Sequence, residues 1–563
     1  MRGPLPQSAY DYGARASGGT HGVVLTRPQV VELILDLVGY TPERELGRQV
    51  LLEPACGRGA FVLPVVRRLL ESARRTAGCP GELAPALRAY DVDPAQVAAC
   101  RQAVVRLLGR HGVAAAQARA LAAAWIRHAD FLLADDLPPA DYVVGNPPYV
   151  RIEQLAPVLQ AEYRRRLTSL YDRADLYVAF IERCLKLLSP SGTLSFICAD
   201  RFTRNRYGAP LRRLITQDYA LRCYIDLHKT APFTSAVAAY PCILVITQKP
   251  VPEPAVPTPV IVMSLAQASA QQCAAVLPLL RGERRSSPGI DLSHYPRFFH
   301  GAAPWVLSTP AHLSVLRQLE ERFAPVEQVG GARVGIGVAT GCDRVYIVDR
   351  GAAIEPDRLL PLVCRDDLHD GQVRDGGRCV INTFDDAGRP LELARYPLLS
   401  AYLARHEPEL RNRHIARKNP AAWFRTIDRV YPELVRTPKL LFPDIAAAGA
   451  PILEPGRAHP HHNLYFITAA DCDLEVYGGL LSSKVALFFV WSYAVKLRGG
   501  YLRFQAQYLR RVRVPAPAAL SPELAAALRQ AFRRRDFPAL DALSLKAYEL
   551  PQLPDFPFVD TRR

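Results

Sequence analysis

The sequence lacks the patterns that mark several classes of protein. Its 12 cysteines include no CxxC pair, which argues against a zinc ribbon and a dithiol redox site. The N-terminal segment has no apolar stretch typical of a signal peptide, and no run of about 18 apolar residues is present to span a membrane. We therefore expect reduced, mostly buried cysteines in a cytoplasmic, nucleoid-associated protein of a bacterium or archaeon, with no membrane partner.

The charge of the chain is strongly one-sided. Its 563 residues include 70 Lys and Arg against 54 Asp and Glu, which gives a formal net charge of +16. Such a charge suits a polyanionic partner, although an anionic membrane or a general arginine bias would produce the same value. Apolar residues make up 49% of the chain, and this length and composition predict two or three domains.

The first half of the sequence predicts an α/β fold. Strands that alternate with helices predict a parallel sheet covered on both faces, and ligands of such sheets bind at the carboxyl ends of the strands. Predicted strands occupy 50–52, 88–90, 142–144, 193–198 and 243–247, and helical spacing occupies 28–38, 59–72, 94–108 and 175–188.

Four regions are predicted along the chain. The α/β domain is expected over residues 1–250, and the proline-rich stretch 249–259 is expected to open a linker or bridging segment over 251–325. A second, mixed α/β domain is expected over 326–515, and 516–563 predicts a helical tail. The predicted strands of the second domain are 334–338, 345–348 and 379–381.

The first candidate binding motif joins a predicted strand to a helix through a glycine turn. Glycines let the backbone approach a ligand closely, and the helix N-terminus behind them offers unpaired N–H groups. An ordinary tight turn would show the same pattern, so the motif indicates a binding site only in combination with the residues that follow it. Its members are Glu53, Pro54, Ala55, Cys56, Gly57 and Gly59.

Acidic residues follow at the ends of the next two predicted units. Asp91, followed by Val92, stands where a carboxylate accepts both hydroxyls of a ribose in dinucleotide folds. Asp130 and Phe131 place an acid beside an aromatic ring, which suits the amino group and the face of an adenine. A single Asp at a strand end is often a helix cap, but acidic residues at successive strand ends in this order favour a nucleoside-containing cofactor.

The motif Asn146-Pro147-Pro148-Tyr149 follows a predicted strand. The prolines fix φ and remove two N–H donors, so carbonyls near them have no local donor. The Asn146 side-chain oxygen and the Pro147 carbonyl are therefore candidate acceptors for an aromatic amine, whose lone pair they would localise for attack on a methyl group. Tyr149 offers a flat face to a flipped-out base, and Phe233 is either the opposite stacking face or a core residue.

In this order the motifs resemble those of the TaqI-type, gamma-class DNA adenine-N6 methyltransferases, which are similar to the Eco57I restriction–modification methylases. The segment 22–28, with Thr26 before a helix, resembles the N-terminal cofactor motif of that family, and 175–180 and 187–199 resemble two later ones. The resemblance is strong in the first half of the chain. It holds only in outline in the second half, where 334–348 resembles the start of a target-recognition domain.

The resemblance implies a seven-stranded, Rossmann-like class I methyltransferase domain followed by a mixed α/β target-recognition domain. It implies S-adenosylmethionine as the cofactor, held by Thr26, by the motif and acidic residues given above, and by Asn146. It further implies methylation of N6 of a flipped adenine in double-stranded DNA by a monomer. A cognate restriction endonuclease or a phage-defence subunit is a further expected partner, and no metal is expected.

Several alternatives remain open from the sequence. The same motif chemistry acts on N4 of cytosine, on ribosomal RNA and on glutamine side chains, and a non-catalytic DNA-binding subunit is another class. Asp444 with Glu454 suggests a methylase–nuclease fusion, but Glu454 is followed by Pro-Gly rather than by one residue and Lys. His459, His461 and His462 suggest a metal site, but their spacing beside a proline fits a loop better than a ligand face.

Two basic clusters in the second domain are candidates for DNA contact. Cations near phosphates give salt-dependent affinity and contacts to base edges give specificity, whereas a solvated surface around core aromatics is the alternative. The clusters are Arg411, Arg413, Arg417, Lys418 and Arg425 around Trp423 and Phe424, and Arg498, Arg503, Arg510, Arg511 and Arg513 around Tyr501, Phe504 and Tyr508.

Overall fold

The computed structural model of the protein describes residues 25–76, 80–235, 240–249, 260–295, 301–306, 308–494, 497, 500–558, 560 and 562. The chain divides into two compact units, Met1–Pro310 and Ala311–Arg563. Part of the predicted motif at 22–28, most of the proline-rich stretch 249–259, and Arg498 of the second basic cluster lie outside the described residues.

A nine-stranded sheet with the order β3-β2-β1-β4-β5-β7-β6-β8-β9 forms the first unit. The strands β1 to β5 run parallel, and β7 is antiparallel to both β5 and β6. The carboxyl ends of β1 to β6 therefore meet at one edge of the sheet. The strands are β1 (Leu51–Glu53), β2 (Leu87–Asp91), β3 (Ile126–His128), β4 (Ala140–Gly145), β5 (Leu188–Ala199), β6 (Tyr219–Asp226), β7 (Pro241–Gln248), β8 (Val260–Leu265) and β9 (Ile290–Tyr295).

Eight helices accompany these strands in the described part of the first unit. Parallel strands need crossover connections, which helices usually supply, and strands covered on both faces become continuously apolar. All three residues of β1 are buried for this reason, as are the last four of β4. The helices are α1 (Pro28–Leu37), α2 (Val62–Arg75), α3 (Pro94–Arg110), α4 (Ala115–Trp125), α5 (Pro157–Arg166), α6 (Tyr177–Lys186), α7 (Ala209–Asp218) and α8 (Ala270–Leu280).

The sheet is larger than the sequence predicts. Seven strands, β3-β2-β1-β4-β5-β7-β6, account for the expected methyltransferase sheet, and β8 and β9 extend it beyond β6. The strand β8 runs parallel to β6 and antiparallel to β9. The segment 251–325, expected to be a linker, therefore contributes two strands and α8 to the first unit. These elements were not predicted, because a proline-rich stretch precedes β8. Such a stretch is found in linkers between domains as well as in surface loops within one domain.

Small sheets and short helices make up the second unit. Its two four-stranded sheets have the orders β11-β21-β17-β19 and β12-β16-β13-β20. The strands are β10 (Ala324–Pro325), β11 (Arg333–Ile336), β12 (Ile347–Asp349), β13 (Leu359–Val363), β14 (Leu368–His369), β15 (Gln372–Val373), β16 (Arg378–Ile381), β17 (Lys439–Pro443), β18 (Ile445–Ala446), β19 (Ile452–Glu454), β20 (His459–Pro460), β21 (Leu464–Thr468), β22 (Leu502–Arg503) and β23 (Arg513–Val514).

The helices of the second unit begin at the unit boundary and continue into the expected tail. They are α9 (Pro310–Arg322), α10 (Asp343–Tyr346), α11 (Pro397–Arg405), α12 (Glu407–Arg411), α13 (His414–Lys418), α14 (Pro432–Arg436), α15 (Leu474–Leu481), α16 (Lys484–Tyr493), α17 (Ala506–Leu509), α18 (Pro522–Arg534) and α19 (Phe537–Ala547). The strand predicted at 345–348 therefore begins as a helix and becomes strand only from Ile347.

The expected tail 516–563 is part of this unit rather than an appendage. The Tyr548 hydroxyl donates to the Arg513 carbonyl at 2.6 Å, and the buried Arg562 pairs with Asp541 at 3.0 Å. No single helix in the described ranges has the length and apolar character to cross a membrane; only the pair α15 and α16, bent by 62°, meets that test jointly. Both helices of the pair are largely buried.

Candidate active site

Two parallel strands bring the glycine turn and the first acidic residue together. The turn begins after Glu53, at the end of β1, and is held by a hydrogen bond of 2.8 Å from the Cys56 N–H to the Tyr90 carbonyl. The Gly57 N–H donates to Asp91 Oδ2 at 2.8 Å. Gly57 has φ of 51°, a left-handed conformation that favours glycine. The turn and the Asp91 carboxylate are therefore one structural unit.

Asp91 is not the cap of the helix that follows it. That cap is Asp93, whose Oδ1 accepts from the Ala95 N–H at 2.8 Å. The Asp93 N–H in turn donates to Asp91 Oδ1 at 2.9 Å. Burial raises the pKa of Asp91, although the N–H groups of Asp93 and Gly57 oppose the rise. Because a carboxylate offers about four acceptor positions, both Asp91 oxygens keep capacity for a ligand.

The second acidic residue lies among aromatic rings. Asp130 Oδ1 accepts from the Leu132 N–H at 2.9 Å, and its Oδ2 accepts from the Tyr163 hydroxyl at 2.6 Å. The Phe131 ring stacks on Phe180 with 5.8 Å between centroids and an interplanar angle of 23°. Asp130 and the rings of Phe131, Tyr163 and Phe180 therefore meet after the third strand, an arrangement that suits the amino group and the face of a purine.

The motif Asn146-Pro147-Pro148-Tyr149 lies directly after β4, at the same edge of the sheet. The Asn146 Nδ2 donates to Thr26 Oγ1 at 3.4 Å, which joins the segment before α1 to the motif. Thr26 also pairs with Phe233 through an isolated β-bridge. The structure thus brings together three segments that the sequence analysis singled out at distant positions.

One cavity of about 370 Å³ connects most of these residues. This volume lies in the range of sites for small molecules. Gly59, Pro147, Tyr149 and Phe233 do not line it. The predicted site residues that do line it are Thr26, Glu53, Pro54, Ala55, Cys56, Gly57, Asp91, Val92, Asp130, Phe131, Asn146 and Pro148.

The two predicted stacking residues contact each other edge to face. The Tyr149 and Phe233 ring centroids are 6.3 Å apart with planes at 70°, and Tyr177 meets Tyr149 in the same manner at 6.1 Å. Phe233 is 4% exposed and belongs to the core in this structure. A base held between parallel rings would require these two rings to separate, so the stacking role of Phe233 stays a prediction.

Two further aromatic residues line the cavity, Tyr163 and Phe180. Tyr163 was not predicted as a site residue, and Phe180 was part of a predicted motif without a role at the cofactor. Tyr163 lies on α5 and Phe180 on α6, and both are buried. Nothing local distinguishes them from core residues, because each stands among apolar neighbours at helical spacing. Only the path of the two helices back over the sheet edge places them at the cavity.

Glu53 shows what kind of ligand group suits the cavity. Its side chain is buried, and its Oε2 makes no hydrogen bond among the residues that the structure describes. Burial raises the pKa of Glu53 well above its usual range, and Cys100 and Asp91 add to the rise. A buried carboxyl with an unsatisfied oxygen is costly by itself, so Glu53 fits a ligand that brings a cationic hydrogen-bond donor.

Comparisons with known proteins agree with this site. Residues 125–233 match the family described as Eco57I restriction-modification methylase. The Type II methyltransferase M.XhoI of Xanthomonas vasicola is 44% identical over 541 residues, which cover 94% of this chain and 97% of that protein. M.PaeR7I of Pseudomonas aeruginosa is 42% identical, with 94% and 92% of the two chains covered. The chain belongs to the Type II methyltransferases.

This methyltransferase is therefore an S-adenosylmethionine-dependent DNA methyltransferase of the restriction–modification type. The predicted resemblance to the Eco57I restriction–modification methylases and the predicted cofactor are confirmed. The solved structure of the Type IIL restriction-modification enzyme MmeI in complex with DNA superimposes with a TM-score of 0.58 at 13% identity, covering 94% of this chain and 74% of that one. That likeness concerns the fold alone, and it confirms the predicted α/β class.

Many cations of the predicted basic clusters serve the fold of the second unit. The Arg413 guanidinium donates to the carbonyls of Thr340, Trp423 and Arg425 at 3.2, 2.7 and 2.9 Å. Arg411 pairs with Glu407 at 2.6 Å. In the second cluster, Arg510 pairs with Glu327 at 3.0 Å, Arg503 pairs with Asp444, and Arg511 stacks over the Tyr493 ring. The exposed cations of the first cluster are Arg411, Arg417 and Lys418.

The carboxylates of the suggested nuclease motif are also committed to the fold. Glu454 forms a buried ion pair with Lys439 and accepts from the Gly456 and Arg457 N–H groups at 3.1 and 2.6 Å. Asp444 is held by the Arg503 guanidinium. Because both acids are already paired, this arrangement favours a structural role over a metal-dependent nuclease site.

Proposed function

We propose that this methyltransferase transfers a methyl group to N6 of an adenine that is flipped out of a specific double-stranded DNA sequence. One observation carries the proposal: Asn146 lines the same cavity as Asp91 and Asp130. The group that would accept the target amine therefore shares one enclosed space with the groups that would hold the cofactor. A base in a duplex must leave the stack to reach such a space.

The cavity residues fit S-adenosylmethionine part by part. Asp91 would accept the ribose hydroxyls, Asp130 with Phe131 would hold the adenine, and the unsatisfied Glu53 would accept from the ammonium group. When bound, this cofactor supplies an electrophilic methyl group on a sulfonium. The Gly57 N–H fixes Asp91 before any ligand arrives, so little reorganisation accompanies binding.

The chemical contribution of the chain is positioning. The Asn146 side-chain oxygen and the Pro147 carbonyl accept hydrogen bonds from the target amine, which localises its lone pair. Tyr149 gives the flipped base a face to stack on, and this fixes the direction of attack. Asn146 is not a base, so the surplus proton leaves to solvent after the transfer. The same geometry would serve N4 of cytosine, which makes the product the decisive measurement.

Product analysis tests the proposal directly. The full chain is incubated with isotopically labelled S-adenosylmethionine and unmethylated genomic DNA. The DNA is then digested to nucleosides, which are separated and identified by mass spectrometry. We expect label in N6-methyladenine. Label in N4-methylcytosine would overturn the adenine assignment while keeping the site, and label in neither nucleoside of DNA would overturn the proposed reaction.

Asn146→Ala separates catalysis from cofactor binding. We expect a loss of kcat of at least about 100-fold, comparable to the loss of one group that stabilises a transition state. The affinity for S-adenosylmethionine, measured by calorimetry, is expected to stay within a few-fold. Normal turnover in this variant would remove Asn146 from the mechanism. The specific sequence, a cognate endonuclease and a monomeric state remain parts of the proposal that footprinting, pull-down and sedimentation would test.

A further inference from the structure

Two distant segments of the second unit bring a carboxylate and two imidazoles together. His461 Nε2 lies 3.1 Å from Asp343 Oδ2, although 118 positions separate the two residues. The neighbouring His462 ring lies 4.0 Å from the His461 ring, measured between centroids. One ligand atom of each of the three residues lies within 4.8 Å of the others. The sequence alone suggests only the histidines as ligands, because Asp343 is distant from them along the chain.

We propose that Asp343, His461 and His462 form a binding site for Zn²⁺. Nitrogen and oxygen ligands lie about 2.0–2.2 Å from zinc, so two ligands of a tetrahedral site are about 3.3 Å apart. The separation of 3.1 Å between His461 Nε2 and Asp343 Oδ2 already matches this geometry. His462 is exposed, so its side chain is able to move the short distance that a third ligand requires. Water completes the tetrahedron.

Two ligands are already oriented by neighbouring groups, as metal ligands in proteins usually are. The Thr340 hydroxyl donates to Asp343 Oδ1 at 2.5 Å, which turns Oδ2 toward His461. On the other side of the imidazole, His461 Nδ1 and Asn463 Oδ1 are buried, and neither makes a hydrogen bond of good geometry within the described residues. Zinc on Nε2 would leave the ring proton on Nδ1, where Asn463 Oδ1 is available to accept it.

The contact between His461 Nε2 and Asp343 Oδ2 is open to two interpretations, because 3.1 Å fits a hydrogen bond as well as two ligands of one metal ion. Without zinc the same contacts give only a hydrogen-bonded Asp–His pair, and the test must distinguish these two states.

Zinc here would fix one wall of a cationic cavity. The Thr340 carbonyl accepts from Arg413 at 3.2 Å and from the Ile427 N–H at 3.2 Å. The adjacent Gly341 lines a cavity of about 550 Å³ together with Arg413, His414, Lys418 and Arg425. The segment 340–343 thus connects the proposed zinc site to groups that suit a phosphate.

Metal analysis of the untagged full chain tests the site. The protein is purified from zinc-supplemented medium without chelator, and its zinc content is measured by mass spectrometry. We expect about one zinc per chain, and a fall of at least about tenfold in Asp343→Asn and in His462→Ala. Both positions are exposed, so the variants are expected to keep the native circular dichroism. The matched control is His414→Ala, an exposed histidine outside the trio, which is expected to retain the metal.

Thermal melting gives a second, independent readout. Chelation is expected to lower the melting temperature of the wild type and of His414→Ala, and to leave that of His462→Ala unchanged. Cobalt substitution should give the visible absorption of a tetrahedral site in the wild type and in His414→Ala, and not in His462→Ala. A wild-type chain that takes up neither zinc nor cobalt overturns the proposal and leaves the Asp343–His461 pair as a hydrogen bond. Unchanged zinc content in His462→Ala overturns it equally.

Discussion

The backbone N–H of Gly57 donates a hydrogen bond of 2.8 Å to Oδ2 of Asp91, although 34 positions separate the two residues. The contact exists because β1 and β2 are parallel neighbours, with Leu51 opposite Leu87 and Glu53 opposite Ala89. Both strands end at the same edge of the sheet, so the turn after β1 meets the carboxylate of Asp91, the last residue of β2. Cofactor affinity should therefore depend on the acid and on the turn together.

Asp91→Ala is expected to weaken S-adenosylmethionine binding by about 10- to 100-fold. Hydrogen bonds to a charged group contribute about 1.5–3 kcal/mol, and a factor of ten corresponds to about 1.4 kcal/mol. Calorimetric titration of the cofactor measures the effect. Asp218→Asn is the matched control, because this exposed residue ends α7 and precedes the amino end of β6. Unchanged affinity in Asp91→Ala would remove that residue from the ribose site.

The two turn glycines are expected to differ in how much side chain they tolerate. Gly57 has φ of 51° and open space where a Cβ would stand, whereas Gly59 has φ of 92° and would place a Cβ 2.8 Å from Cys100 Sγ. Gly57→Ala therefore carries mainly backbone strain of about 1 kcal/mol. Gly59→Ala adds an overpacking cost of about 1–3 kcal/mol, so its melting temperature should fall further.

A double variant distinguishes strain from overpacking. Cys100→Ala removes the atom that a Cβ at position 59 would meet, so it should recover part of the loss in Gly59→Ala and none of the loss in Gly57→Ala. Melting temperatures of the single and double variants measure this coupling. Equal losses at the two glycines, with no recovery, would show that the contact at Cys100 relaxes freely.

Local sequence patterns were sufficient to predict most strands of the sheet and the edge that carries the cofactor motifs. They were insufficient for elements whose position depends on tertiary contacts. The strands β1, β2, β4, β5 and β7 were predictable, because each is an apolar run bounded by turn residues. The strand β3 (Ile126–His128) was missed, since it follows Trp125 of α4 directly and exposes two of its three residues. The strand β8 was missed because the prolines before it resembled a linker.

The site shows the same division. Asp91 was predictable because it ends an apolar strand, and Asp130 because it stands beside an aromatic residue at the end of the next repeating unit. Tyr163 and Phe180 were not predictable, since their place at the cavity depends on how α5 and α6 return over the sheet edge. The contact between Asp343 and His461 was also not predictable, because the two residues are 118 positions apart and local spacing does not indicate such a pair.

Tyr149 is expected to act through its ring and not through its hydroxyl. The hydroxyl oxygen is buried and has no hydrogen-bond partner in the described ranges, and burial raises the pKa of Tyr149 well above its usual range. Tyr149→Phe should therefore keep kcat within a few-fold. Tyr149→Ala should lower transfer by about 10- to 100-fold, because stacking of one base on an aromatic ring contributes about 1–3 kcal/mol.

Steady-state kinetics with a 2-aminopurine duplex measure both effects of these Tyr149 variants. The fluorescence of the unstacked base reports flipping, and methyl incorporation reports transfer. Loss of flipping is expected in Tyr149→Ala only. If Tyr149→Phe were as inactive as Tyr149→Ala, the hydroxyl would take part in the reaction, and stacking alone would not explain the role of Tyr149.

His228 makes the stability of the first unit depend on pH. Its Nε2 lies 2.9 Å from Asp200 Oδ2 and 3.7 Å from Asp226 Oδ1. Burial lowers the pKa of His228 and Arg204 acts in the same direction, but the two carboxylates outweigh both and raise it above 6.5. A pKa that is higher in the folded than in the unfolded state stabilises the fold at low pH. This contribution is complete below about pH 6.5 and is lost as pH rises through the folded pKa.

The melting temperature of the wild type should therefore fall as pH rises from below 6.5 toward 8.5, beyond the change shown by His228→Gln. The neutral amide keeps the size of the side chain and one donor but carries no titrating charge, so the pH-dependent part disappears. Asp200→Asn should reduce the same part, because it removes the nearer carboxylate. His294→Gln, an exposed position on β9, is the control and should follow the wild-type curve. If the melting temperatures of wild type and His228→Gln changed with pH in parallel, the pKa of His228 would not be raised by folding.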